Sequence, residues 1–126
     1  MSFSWLPSPC YDSQLSEQFL TLKNWQWFNS PNMTEDAKVE KEEVLKGEHD
    51  YLWVSWEYHK LHCTYMWRKM HRAVLRGGFV DQYIGNYEHT EHCEEILMGE
   101  GVEMEGSRGL TVIRRKFVGC QRKGLR

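Results

Sequence analysis

Two pentapeptides limit what this chain can become. They are His59-Lys60-Leu61-His62-Cys63 and His89-Thr90-Glu91-His92-Cys93, one H-x-x-H-C pattern written twice, at 59 and again at 89. Together they take four of the six histidines and two of the four cysteines in 126 residues. On an α-helix, positions three and four apart lie on one face. Each copy therefore presents two imidazoles and a thiol as a single patch. A fold that brings the patches together gathers four nitrogens and two sulfurs at one place.

The surrounding pattern supports helices at both copies. From about Tyr51 to Leu75, Leu52, Trp56, His59, His62, Cys63, Met66, Met70 and Val74 fall within about 60° of one line at 100° per residue, with Glu57, Arg68, Lys69 and Arg72 on the far side. Gly77-Gly78 ends this segment as a C-terminal cap would. In the second copy His89, His92, Cys93, Ile96 and Leu97 share a face, and Glu91, Glu94 and Glu95 oppose it. Earlier in the chain, WLPSPCYD makes residues 1–12 an extended leading segment, and Ser13 is placed to cap a short helix carrying Leu15, Phe19 and Leu22. Residues 34–48 are charged enough for a solvated loop or a fraying helix, and LTVIRRKF reads as a strand or extended arm in the 110–126 segment, before a basic tail. The expectation is one mainly α-helical domain over 1–126, with its core at about 47–99, two metal-bearing helices face to face and a short extended C-terminal arm.

Composition removes several functions. A net charge of −2 and a pI near 6.3 offer no basic stripe for nucleic acid. No run approaches the roughly 18–20 apolar residues of a membrane span, and MSFSWLPSPCYDSQ lacks the apolar core of a signal peptide. The sequon Asn32-Met33-Thr34 is used only in a secretory lumen, which sets a secretory or secreted location beside a cytosolic one.

Imidazole suits zinc, copper, iron and nickel, and neither patch carries the carboxylates that magnesium, calcium or manganese prefer. His59, His62, His89 and His92 are thus candidate ligands for one or two metal ions. Two other readings compete: histidines satisfied by hydrogen bonds within a core, and a structural zinc with two cysteines and two histidines, although such sites favour spaced pairs over adjacent His-Cys. The four cysteines allow three pairings, which sequence leaves open. A Cys10–Cys120 bridge would tie down both ends, leaving Cys63 and Cys93 to ligate metal or to bridge the two helices. Trp56, Met66 and Met70 are candidates for a substrate pocket, whereas His71 on the helix flank and His49 in a loop are not first choices as ligands, and Glu57 and Glu91 point away from the patches.

At these residues the chain resembles the fungal UstYa-like family, marked by two H-x-x-H-C motifs on separate helices. The resemblance rests on VSWEYHKLHC and YEHTEHCEEIL and covers roughly residues 47–97. Many members of that family carry an N-terminal membrane anchor and a further cysteine soon after the second motif, where this chain has LMGEGVEMEG. The resemblance implies copper as the working metal and an oxidative tailoring reaction, whether hydroxylation, cyclisation, dehydrogenation or halogenation, on a small molecule or modified peptide. It also implies pairing as a homo- or heterodimer. The alternatives are a non-catalytic metal-binding partner subunit and a zinc-stapled interaction module.

Overall fold

A computed structural model describes residues 4–99, 110–117 and 119–122. In chain order the elements are β1 (Ser4–Trp5), α1 (Ser13–Leu22), β2 (Trp27–Phe28), β3 (Lys38–Val39), α2 (Lys41–Leu45), β4 (Tyr51–Ser55), α3 (Trp56–Leu75), β5 (Phe79–Asp81), α4 (Tyr87–Met98), β6 (Leu110–Arg114), β7 (Lys116–Phe117) and β8 (Cys120–Arg122). The fold is mixed α/β, which corrects the expectation of a mainly helical domain. A four-stranded antiparallel sheet runs in the order β3-β2-β4-β6, β5 pairs antiparallel with β8, and β1 pairs parallel with β7.

The correction begins at Tyr51–Ser55, expected to be the start of the long helix. Leu52 fits the helical stripe, but YLWVS also alternates with period two, and its β-branched and aromatic residues fit a pleated surface. Leu52 and Val54 face the core, fully buried, while Tyr51 and Ser55 are exposed. Ser55 then resets the chain: its side chain accepts a 3.1 Å hydrogen bond from the Tyr58 backbone N–H and caps the 20-residue α3. The residues read as a strand or extended arm supply β6, which pairs with β4 along its whole length, from Tyr51 opposite Arg114 to Ser55 opposite Leu110. The residues read as a solvated loop or fraying helix contain β3 and α2, and Val44 of α2 is buried.

The hydrophobic core also draws on residues ahead of β4. Phe19 of α1, fully buried, stacks on Trp25 at 5.2 Å and meets the edges of Tyr58 and Tyr65 at 4.9 and 5.3 Å. Leu15, Trp27 and Ile113 join this cluster. The cap of α1 is Asp12 rather than Ser13: its carboxylate accepts from the Leu15 N–H at 3.2 Å and also from Arg72 of α3 at 2.7 Å.

Two features of α3 depart from the helical wheel. Val74, expected inward, is 38% exposed. Lys69, expected outward, is 3% exposed and donates to Asp81 at 2.7 Å. The second carboxylate oxygen of Asp81 accepts from the backbone N–H groups of Tyr83 and Ile84, both at 2.8 Å. That single carboxylate shapes the turn between β5 and α4. Gly85 closes the turn so tightly that a Cβ there would lie 3.0 Å from the Asp81 carbonyl oxygen. Across the sheet pair Asp81 lies opposite Cys120, which is disulfide-bonded to Cys10 over a sequence separation of 110 residues. The disulfide, the β5–β8 pair and the buried ion pair thus anchor the N-terminal approach to α4 from three sides.

Candidate functional site

Helices α3 and α4 pack on each other with their H-x-x-H-C patches facing. His59 and His62 are buried, His89 is half-buried, and His92 is exposed at the mouth. The rings form a closed circuit, with centroid separations of 6.1 Å for His59–His62, 6.4 Å for His62–His89, 6.3 Å for His89–His92 and 5.4 Å for His92–His59. All four line one cavity of about 420 Å³, with Trp56, Tyr83, Ile96 and the strand residues Thr111 to Arg114 among its walls.

The donor set suits a metal bound by nitrogen. Burial, reinforced by the neighbouring charges of His92 and His89, pushes the His59 pKa down to about 4, so the ring is neutral and offers a lone pair at physiological pH. Its Nδ1 lies 3.0 Å from the Thr111 hydroxyl, so Nε2 is the nitrogen left for the cavity. This partnership depends on the β4–β6 register, which sets Thr111 opposite Val54 and beneath the start of α3. At metal–nitrogen bonds of about 2.0–2.1 Å, ring centroids sit about 3 Å from a shared ion and about 5 Å from one another in a tetrahedron. Three sides of the circuit are about 1 Å wider than that, and among the described residues no three His, Cys, Asp or Glu side chains already converge on one metal position. The residues fit the group chemically. Closing on one ion requires inward rotation, chiefly of the more accessible pair on α4.

Cys63 and Cys93 are buried free thiols in hydrogen-bonding contact, so the interhelical bridge considered from the sequence is not formed. The Cys63 thiol donates to the Cys93 sulfur, which lowers the Cys93 pKa, and the bond holds the Cys63 proton in place. His89 Nε2 lies 3.6 Å from the Cys93 sulfur and adds to the same effect. The thiol pair therefore sits behind the imidazole circuit, at the helix seam, with Ile96 packed beside it.

Of the proposed pocket residues, Trp56 lines the main cavity, and its ring lies 6.2 Å from His59 at 15°. Its indole Nε1 is buried with no hydrogen-bond partner among the described residues. Met66 and Met70 lie elsewhere: Met66 is buried in the main core, and Met70 packs against it beside a void of about 10 Å³. His71 is exposed on the flank of α3, and neither it nor His49 lines the cavity. Glu57 is exposed and paired with Lys23, and Glu91 is exposed.

Sequence reasoning missed Tyr83 and Thr111. Tyr83 sits in the turn held by Asp81, with its ring 3.8 Å from that of His89 and 6.3 Å from that of His62. Burial, with the nearby sulfurs Cys93 and Cys63 and the carboxylate of Asp81, raises its pKa and keeps the phenol protonated. No periodicity marks either residue, because each reaches the site through a turn or a strand register.

The chain is 27% identical over 95 residues to phomopsin biosynthesis cluster protein B, and to its counterpart B′, both of Diaporthe leptostromiformis. The aligned region covers 73% of this chain and 28% of each relative, so the chain spans little more than a quarter of the length of the curated relatives it matches. No family model matches, and no solved structure matches. Among the described residues no helix is long and apolar enough to cross a membrane.

Proposed function

We propose that this chain is a copper-dependent oxidative tailoring protein of fungal secondary-metabolite biosynthesis, acting on a C–H bond of a small molecule or modified peptide. The observation that carries the reading is the circuit of four imidazoles from two identical motifs around a cavity large enough for an organic substrate. The likeness to phomopsin cluster proteins supports a place in such biosynthesis. The Cys10–Cys120 bridge and the exposed sequon at Asn32 support an oxidising secretory compartment.

His59, His62, His89 and His92 would hold the metal, which when bound supplies one-electron redox chemistry with O2 or a peroxide as oxidant. Thr111 fixes the His59 ring, and Trp56 and Ile96 exclude water on the substrate side. Tyr83 packs on His89 beside the circuit. The exposure of His92 favours a second reading, in which this chain is a metal-binding subunit whose open wall a partner completes.

Loading the purified, disulfide-bonded chain with Cu(II) tests both. One or two copper ions per chain, with nitrogen hyperfine structure in the electron paramagnetic resonance spectrum, is the expected result. His62→Ala or His92→Ala should abolish it, and His71→Ala should not. Retention of zinc against excess copper, or equal damage from His71→Ala, refutes the copper reading. Oxidation of substrate by the isolated copper-loaded chain separates the enzyme from the partner subunit.

A further inference from the structure

The sequence Arg114-Arg115-Lys116 places three cations in a row, and their partners divide them. Arg115 turns away from the cavity, donating to Asp50 Oδ1 at 2.5 Å and to the Gly47 carbonyl at 3.1 Å, so its charge is neutralised. Arg114 and Lys116 both turn to the cavity and line it. Both are exposed, and neither makes an ion pair or hydrogen bond among the described residues. The described lining of this cavity contains no aspartate or glutamate. It combines an apolar wall at Trp56, Val112 and Ile96, the four imidazoles, and two cations without an ion-pair partner among the described residues, Arg114 at the end of β6 and Lys116 at the start of β7.

We propose that Arg114 and Lys116 form an oxyanion-recognition subsite, so that the molecule this cavity takes carries a carboxylate or phosphate joined to an apolar body. The assignment rests on the cavity being the substrate site proposed above. An anionic group held at Arg114 and Lys116 docks the molecule at one end and leaves its apolar part to reach along β6 towards the imidazole circuit. Arg114 supplies a planar, forked donor that matches the two oxygens of a carboxylate, and Lys116 adds a point charge two residues on. Both residues are specificity-determining and stand apart from the metal ligands.

The test uses the metal-free full chain at pH 8 and three probes of one shape: 4-phenylbutyrate, its neutral amide, and phenethyl phosphate, titrated by ligand-observed and protein-observed NMR. The acid is expected to bind at least fivefold more tightly than the amide. Arg114→Gln and Lys116→Gln should each raise its Kd about three- to fivefold, the range for a partly exposed charge pair, and the double variant more. Lys46→Gln, at the C-terminal cap of α2, serves as the control and should change nothing. Tighter binding of the phosphate than of the acid assigns the subsite to phosphate esters, and the reverse assigns it to carboxylates. Equal affinity for acid and amide, including no detectable binding of either at millimolar concentration, overturns the proposal, as does an equal loss in Lys46→Gln. Copper loading is measured separately. Loading without acid selectivity leaves the metal reading standing and removes this one; acid selectivity without loading does the opposite.

Discussion

Replacing Asp81 by asparagine should be among the most damaging single changes that leave the site residues untouched. Asp81 is 1% exposed and its partner Lys69 is 3% exposed, so the ammonium has no solvent to fall back on. In Asp81→Asn the amide oxygen could still accept from the Tyr83 and Ile84 N–H groups, but an uncharged amide would then face Lys69. Breaking a buried pair by removing one partner costs about 3–5 kcal/mol, because an uncompensated charge stays behind. For 126 residues the unfolding entropy is about 0.26 kcal/mol/K, so a loss of that size lowers Tm by roughly 11–19 °C. Urea denaturation followed by circular dichroism, with the disulfide intact, measures it. Lys69→Met in the Asp81→Asn background removes the stranded charge and should recover at least about 2 kcal/mol of the loss. A single-variant cost under about 1 kcal/mol, or no recovery in the double variant, would refute the view that this pair holds the turn below Tyr83.

Cys10→Ser with Cys120→Ser opens a loop closed over 110 residues and should cost about 4–5 kcal/mol by chain entropy; an unchanged urea midpoint would show that the bridge adds nothing. Burial would raise the pKa of Asp12, but the Arg72 hydrogen bond, the Leu15 N–H and the charges of Arg72 and Arg76 outweigh it and hold it below 3.8. Its stabilisation is therefore complete above the unfolded pKa and disappears as pH falls through the lower folded value, so Asp12→Asn should lose stability at pH 7 and show a flatter acid limb than the parent below about pH 4. Thr111→Val removes the partner of His59 Nδ1 at nearly constant volume, and copper affinity by competitive chelator titration should fall about 10–100-fold while the fold survives; undiminished affinity would mean that the hydroxyl does not set the ring.

The local part of the site is legible in the order of the amino acids alone. Spacing of three and four along a helix is enough to put His59, His62 and Cys63 on one face and His89, His92 and Cys93 on another, because helical geometry is set by the backbone and not by neighbours. The facing of the two patches followed from their apolar company. Other assignments depended on contacts between residues far apart in the chain. YLWVS satisfies a helical stripe and a strand alternation alike, and pairing with LTVIR decided for the strand. Lys69 looks solvent-facing on a wheel, and only Asp81, brought in by a turn 12 residues later, makes its burial possible. Thr111 and Tyr83 carry no signal of their own, since a strand register and a carboxylate-held turn deliver them to the histidines. Arg114 and Lys116 were visible only as members of a basic run. Which charge in that run is neutralised, and which two face the cavity, is set by the positions of Asp50 and the Gly47 carbonyl, long-range contacts with no trace in local sequence.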